Sequence, residues 1–99
     1  RLIRDPADLD LVRLRLHDPD WRVRVQAANV LGRWGGPQDL HGLLALLAAP
    51  EWWVRYRAAQ AIVALPFMQA EALARIAHEL GDPYARDMLR QAMSEKEGA

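Results

Sequence analysis

The chain has 99 residues, a formal net charge of zero and no cysteine. That length suffices for one small domain with a single hydrophobic core, and the lack of cysteine excludes disulfides and thiolate metal sites. A net charge of zero also argues against a dedicated nucleic-acid binder that works by neutralising phosphates.

Prolines punctuate the chain and predict where its helices begin. Each of six prolines stands at or just before an apolar periodic segment: Pro6, Pro19, Pro37, Pro50, Pro66 and Pro83. Proline at the first helical position loses no hydrogen bond, and a preceding Asp can cap the free amides, as we expect of Asp5, Asp18 and Asp82. These signals predict six helices, over about 6–16, 19–34, 37–48, 50–65, 68–80 and 83–95. Ala49 should leave the fourth helix without a capping side chain.

Apolar periodicity predicts which faces of these helices are buried. The odd-numbered helices carry the stripes Leu9, Val12 and Leu16; Leu40, Leu43 and Leu47; and Leu73, Ile76 and Leu80. The second and fourth helices should bury Val23, Ala27, Val30, Leu31 and Trp34, then Val54, Ala58, Ala61, Ile62 and Leu65. The sixth helix should bury Ala85, Met88, Leu89 and Ala92, which we interpret as a shift of about two residues from strict register. Trp21 and Trp52 match each other and are predicted to be structural.

The first helix carries a second apolar stripe on its opposite side, formed by Ala7, Leu11 and Leu14. A helix that is apolar on two faces is normally buried on two faces. We therefore expect either a preceding segment or weak self-association through Leu11 and Leu14 to cover it, although scattered surface leucines are also ordinary. Because the chain begins at Arg1 without Met, we expect a piece of a longer protein.

A repeat underlies these patterns. Asp18–Trp34 returns as Ala49–Leu65, with Pro19 and Pro50 separated by 31 positions. A fixed period in this range is typical of repeat arrays. The first copy has Asp18-Pro19, Val23-Arg24, Ala27-Ala28 and Leu31-Gly32; the second has Val54-Arg55 and Ala58-Ala59; the third keeps Asp82-Pro83.

With these motifs the chain resembles HEAT repeat proteins, closest to the short phycobilin-lyase-type HEAT-like repeats of bacteria. The resemblance implies an all-α fold, an α-solenoid of three antiparallel helix pairs. It divides the chain into a stub at 1–5, a repeat domain at 6–95 with repeats of about 6–36, 37–66 and 67–95, and a polar tail at 96–99. Related repeats pair the arginine that Arg24 and Arg55 match with an acid near the turn, here Asp18, Asp20 or Glu51. The alternative is a ligand role for both arginines.

Residues for catalysis or metal binding are sparse. Ser94 is the one serine, no threonine is present, and the three histidines share no i, i+4 spacing. His78-Glu79 is a single His-Glu pair, whereas the HEAT-type iron hydroxylases implied by the resemblance use several. We expect neither enzymatic activity nor a cofactor or metal.

The best candidate surface is a row on the even-numbered helices, which usually line the concave face of a solenoid. Steps of i+4 and i+7 connect the predicted partner-binding residues, Arg22, Gln26, Asn29 and Arg33, then Trp53, Arg57 and Gln60, with Arg90 in the third repeat. Arginine and tryptophan are enriched at recognition hot spots. The alternative is an ordinary solvated face with one large side chain on it.

These residues favour a protein-protein interaction or scaffolding module whose partner is another protein or the missing part of its own chain. A nucleic-acid-binding domain is an alternative, since HEAT-like alkylpurine glycosylases use a basic groove with Trp. A non-catalytic part of a lyase-type enzyme is another. No apolar run approaches the roughly 18 residues of a membrane span. We expect a cytoplasmic location, or a soluble domain of a membrane-tethered protein.

Overall fold

A computed structural model describes residues 6–98, so the predicted stub at 1–5 and Ala99 lie outside the described residues. The described part is all-α and contains no strand. Its helices are α1 (Pro6–Arg15), α2 (Trp21–Trp34), α3 (Leu40–Leu46), α4 (Trp52–Ala64), α5 (Ala70–Glu79) and α6 (Pro83–Gly98). One 3₁₀ turn, Pro37–Asp39, leads into α3. All six predicted helices are therefore present.

The helices stack as a solenoid of three antiparallel pairs. Helix α4 packs against α2 on one side and α6 on the other, so the even-numbered helices form one continuous layer. Helices α1, α3 and α5 each pack on the even-numbered helix that follows. The predicted odd-helix stripes face this layer, with Leu16, Leu43, Leu47 and Leu73 buried and the other stripe residues packed against the core.

The predicted core is wrong at the tryptophans and at Val23 and Val30, which are half-buried rather than buried. Trp34 is 50% exposed, and Trp21 and Trp52 are 39% and 46% exposed. Trp21 and Trp52 are the first residues of α2 and α4, and helical side chains lean toward the N-terminus, so these two reach past the first turn. Trp34 is the last residue of α2, beside the turn. Helix ends therefore expose large rings that the repeat pattern alone assigns to the core.

Helix α6 is in strict register with α2 and α4, so the predicted shift of two residues in that helix is wrong. Helices α2, α4 and α6 begin at Trp21, Trp52 and Pro83, in steps of 31 residues. The stripe of α5 lies 33 residues after that of α3, but the turn before α6 (80–82) has three residues, against five before α2 and α4. The two extra residues that separate the start of α4 from the α5 stripe are thus offset by two fewer residues after α5.

The helix caps follow this register rather than the prolines. Pro19 and Pro50 lie two residues before their helices, and the N-cap residues are Asp20 and Glu51. The side chain of Asp20 accepts a hydrogen bond from the amide of Arg22 at 2.9 Å, whereas Glu51 makes no side-chain cap bond. Asp18 and Ala49 were thus predicted two positions too early. In the third repeat, Asp82 does accept the amide of Tyr84, at 2.9 Å.

Replacing Ala49 with Asp should stabilise the domain, but by a different bond from the predicted cap. Asp18 accepts the amide of Asp20 at 2.8 Å, and Ala49 is the equivalent position, two residues before Glu51. A new bond to the Glu51 amide is worth about 0.5–1.5 kcal/mol. We expect a thermal midpoint several degrees higher by circular dichroism. Ala48→Asp, at an exposed neighbour, is the control, and equal midpoints for both variants would contradict the proposed bond.

Helix α6 continues to Gly98, beyond its predicted end at residue 95. The ammonium of Lys96 donates to the backbone carbonyl of Val63 at 2.8 Å. Val63 lies in the last turn of α4, where carbonyls lack helical partners. Residues 96–98, predicted to be tail, are therefore helical, and Lys96 satisfies the end of the preceding even-numbered helix.

Small residues set the spacing between α2 and α4. Ala28, Ala58 and Ala59 are fully buried. A Cβ atom at Gly32 would lie 2.7 Å from the Cα of Ala61, closer than real atoms approach. The contact between the first two repeats therefore depends on the absence of a side chain at residue 32.

The second apolar stripe on α1 is exposed to solvent within the described residues. Leu11 is 56% exposed and Leu14 is 70% exposed, while the side chain of Ala7 lies outside the described residues. Self-association through these leucines stays a prediction.

Candidate interaction surface

The α2 part of the predicted row is exposed along the whole helix. Arg22, Gln26, Asn29 and Arg33 are all exposed, with spacings that place them on one helical face. The guanidinium of Arg22 lies 3.2 Å from Asp20, its own N-cap, so its charge is locally balanced. The guanidinium carbon of Arg33 lies 5.7 Å from the ring centroid of Trp34.

The α4 part of the row forms a connected cluster. Trp53 is 50% exposed, and the guanidinium carbon of Arg57 lies 5.6 Å from its ring centroid. Arg57 also donates a hydrogen bond to Gln60 at 2.9 Å. The structure therefore connects Trp53 and Gln60 through Arg57, in the order that their spacing predicts.

Two further aromatic rings belong to this cluster and were not predicted as site residues. Trp52 stacks on Tyr56 with centroids 5.0 Å apart and meets Trp53 edge-on at 5.0 Å. The hydroxyl of Tyr56 donates to the carboxylate of Glu95 on α6 at 3.0 Å, and this hydrogen bond raises the pKa of Tyr56. The i, i+4 spacing of Trp52 and Tyr56 predicts that their rings are neighbours on the helix. The bond to Glu95 joins two helices and leaves no local pattern.

Arg90 does not lie on the row. In the 31-residue register it matches Ala28 and Ala59, both fully buried between neighbouring even-numbered helices. Arg90 is exposed because no described helix packs on that side of α6. The α6 residues in register with the row are Tyr84, Met88, Gln91 and Glu95.

A groove of about 320 Å³ extends the surface between α4 and α6. It is lined by Gln60, Val63, Ala64, Ala92, Glu95 and Lys96. Gln60 links it to the Trp53 and Arg57 cluster, and Glu95 links it to Tyr56. The exposed aromatic group and this groove are thus parts of one surface.

Arg24, Arg55 and Arg86 are structural, and they repeat one contact three times. Each donates to the backbone carbonyl six residues earlier, that of Asp18, Ala49 and Leu80 respectively, at 2.7–2.9 Å. Arg24 also donates to Glu51 of the next repeat at 2.6 Å, which lowers the pKa of Glu51. Of the predicted pairs between these arginines and an acid near the turn, the described residues form one, Arg24 with Glu51. Arg86 was missed because the third repeat was placed out of register.

The described part of the chain lacks two features that define other protein classes, a metal cluster and a membrane-spanning helix. Within residues 6–98, no three His, Asp or Glu side chains come together as a metal site would require. No helix in that range combines the length and the apolar character needed to cross a bilayer.

Stacked helical hairpins with one continuous layer of alternate helices define the α-solenoid class of repeat proteins. The sequence model described as HEAT repeats matches residues 1–65, more than half of the chain. The chain therefore belongs to the HEAT repeat family, whose members commonly mediate protein-protein interactions. No curated protein and no solved structure matches it. The match covers the first two repeats, and the 31-residue register of α6 joins the third repeat to them.

Proposed function

We propose that this domain is a non-enzymatic protein-interaction module whose partner binds the even-helix face. The observation that carries the proposal is the cluster of exposed Trp53 with half-buried Arg57 and Gln60, held together by a ring contact and a hydrogen bond. Trp and Arg at the centre of a surface are the residue types that dominate binding energy. Arg22, Gln26, Asn29 and Arg33 extend the same face across α2 as its polar rim.

Preorganisation supports this function. Side chains that are ordered before binding lose less conformational entropy when a partner arrives. Trp53 contacts Trp52, Tyr56 and Arg57 in the free domain, so its ring is already restricted. An exposed but restricted tryptophan is suited to serve as a rigid anchor for a partner.

The charge distribution favours a protein over a nucleic acid. Arg22 is paired with Asp20, and Arg57 is engaged by Gln60 and two aromatic rings. The formal net charge of the chain is zero. Phosphate binding relies on an excess of positive charge, and among the described residues the neutral chain presents only Arg33 and Arg57 on this face without an acidic partner. The closer likeness to phycobilin-lyase-type repeats, and a role beside a lyase, stay predictions from the residues.

Removing the cluster should weaken binding without unfolding the domain. We expect Trp53→Ala and Arg57→Ala each to weaken partner affinity by about 10-fold or more, equivalent to about 1.4 kcal/mol. Partners would be enriched from a lysate of the source organism, identified by mass spectrometry, and their affinity measured by calorimetry with purified proteins. The thermal midpoint should change little because Trp53 is half exposed.

Arg75→Ala is the matched control, since Arg75 is an exposed arginine on α5, outside the layer of even-numbered helices. Equal affinities for wild-type, Trp53→Ala and Arg57→Ala proteins would overturn the proposed face. Retention on heparin at low salt, followed by release at modest salt, would instead support nucleic-acid binding.

A further inference from the structure

We propose that the first turns of the even-numbered helices bind a proline-rich segment of a partner protein in the polyproline II conformation. The segment carries a basic residue at the end that lies over α6. This proposal rests on the protein-interaction function above and names the class of partner. The aromatic strip that binds it consists of Trp21, Trp52, Trp53, Tyr56 and Tyr84.

The strip crosses the stacked helices because their first turns are in register. Trp21 and Trp52 are the first residues of α2 and α4, and Trp53 and Tyr84 are the second residues of α4 and α6. Tyr84 is 77% exposed, and the three tryptophans are 39–50% exposed. Every repeat thus presents an aromatic ring at the same end of the layer, and the rings follow the direction in which the repeats stack.

The usual spacing of packed helices matches one backbone conformation. Packed helices lie about 8–10 Å apart. A polyproline II chain has three residues per turn and rises about 3.1 Å per residue, so side chains on one face recur about every 9.3 Å. An extended β-strand alternates its side chains, which sends residues i and i+3 to opposite faces. Side chains on one face of a helical ligand recur about every 5.4 Å, or about every 10.5 Å over two turns, so they match a spacing of about 8–10 Å less closely than those of polyproline II.

The strip also offers the hydrogen-bond donors that such a segment needs. A polyproline II backbone makes no internal hydrogen bonds, so its carbonyls remain free to accept. Among the described residues, the indole N–H groups of Trp21, Trp52 and Trp53 donate to no protein atom. Rings with a free polar edge can pack on proline while donating to a neighbouring carbonyl. The strip therefore supplies both contacts.

Charge complementarity assigns the basic residue to the α6 end. At the α2 end of the strip, Arg22 is balanced by Asp20, and at its centre Glu51 is paired with Arg24. Beside Tyr84, the exposed carboxylates of Asp82 and Asp87 have no ion pair. A neutral proline run suits the centre, and an arginine or lysine of the ligand suits the α6 end.

The test uses labelled synthetic peptides and the folded domain. The probes are decaproline, decaproline with one arginine at either end, a Gly-Ser peptide of equal length and an acidic helical peptide, titrated by fluorescence anisotropy. We expect saturable binding of the proline peptides at least about 10-fold tighter than that of the Gly-Ser peptide. One of the two arginine-containing peptides should bind more tightly than plain decaproline, because only one polarity places arginine near Asp82 and Asp87.

Variants locate the site. Trp52→Ala and Tyr84→Ala should each weaken the proline peptides about five-fold or more, and Asp87→Asn should weaken only the arginine-containing one. Trp34→Ala is the matched control, since Trp34 is 50% exposed at the opposite end of α2. Thermal melts establish that each variant is folded.

Equal binding of the Gly-Ser or acidic peptide, or an equal loss in Trp34→Ala, would overturn the proposal. If a captured protein depends on Trp53 and Arg57 while the proline peptides do not bind, this inference fails and the proposed function stands. If Trp52→Ala and Tyr84→Ala weaken the proline peptides, but Trp53→Ala and Arg57→Ala leave partner affinity unchanged, the proposed function is wrong about the face and the inference about the aromatic strip stands.

Discussion

Replacing Arg13 with Met should lower the free energy of unfolding by about 3–5 kcal/mol at neutral pH, because it strands a buried carboxylate. Arg13 donates from Nε to Asp39 at 2.6 Å and from Nη2 at 3.0 Å, across two repeats. The Asp39 side chain is 2% exposed. Its remaining partner would be the amide of Gly36, at 2.9 Å. Urea unfolding followed by circular dichroism measures the loss.

The loss should shrink in acid. Burial alone would raise the pKa of Asp39, but the hydrogen bonds from Arg13 and the Gly36 amide outweigh burial and hold that pKa below its usual value. A carboxylate with a depressed pKa stabilises the fold above its unfolded pKa, and this contribution disappears as pH falls through the folded pKa. Without Arg13, burial has the larger effect and the pKa of Asp39 rises. Protonation of Asp39 in acid then removes the buried charge that destabilises the variant. The two proteins should therefore begin to converge while the pH is still above about 4, as the variant's Asp39 takes up a proton, and should finish converging below about 4, where the wild-type Asp39 is protonated as well.

Arg22→Met provides the matched control for the Arg13 variant. Arg22 pairs with Asp20 at 3.2 Å, but its side chain is 74% exposed. Exposed ion pairs contribute about 1 kcal/mol or less. If the Arg13 and Arg22 variants lose equal stability, or if the Arg13 loss is independent of pH, the buried pair does not hold the first two repeats together.

Replacing Gly32 with Val should destabilise the domain by about 1–3 kcal/mol through overpacking. The new Cβ would lie 2.7 Å from the Cα of Ala61, and a backbone atom cannot rotate away as a side chain can. Alanine within a helix is otherwise favoured over glycine by about 0.5–1 kcal/mol. In Gly32→Ala, the higher helix propensity of alanine stabilises α2, whereas its Cβ crowds the contact between the repeats. We expect the crowding to be the larger effect, so that the variant is less stable than the wild type.

Gly81→Ala is the control for the glycine series, since a Cβ there meets nothing within 4 Å. Its thermal midpoint should stay level or rise slightly, because alanine restricts the unfolded chain. A Gly32→Ala protein that melts above the wild type would show that α2 and α4 can separate at little cost.

Periodicity predicted the fold because each helix buries one regular stripe. Leu31, Val54, Ile62 and Leu89 were all expected in the core, and all are fully buried. The same reasoning was wrong for Trp21 and Trp52, whose regular repeat spacing suggested burial. Both are partly exposed because each is the first residue of its helix. The third repeat was misplaced because a 33-residue step between odd-numbered helices was carried over to the even ones.

The candidate site was predictable only within single helices. Trp53, Arg57 and Gln60 follow from i+4 and i+7 spacing, and the structure joins them by direct contacts. The Tyr56 to Glu95 bond spans 39 residues, and the Lys96 to Val63 bond spans 33. Such pairs depend on how two helices pack, which no local pattern encodes. The groove that they border could not be predicted for the same reason.

The compensating lengths around α5 separate two roles within the repeat. The start of α4 lies two residues further from the α5 stripe than the start of α2 lies from the α3 stripe, and the turn at 80–82 is two residues shorter than the turns before α2 and α4, so the start of α6 does not move. We therefore expect the odd-numbered side of the third repeat to accept insertions and deletions while the even-numbered side keeps its register. A variant with altered length near Phe67, which is exposed, would keep Trp53 and Tyr84 aligned. We therefore expect the length of the chain to vary on the side of the odd-numbered helices, while the even-numbered helices, on the side proposed to bind partners, keep their spacing along the stack.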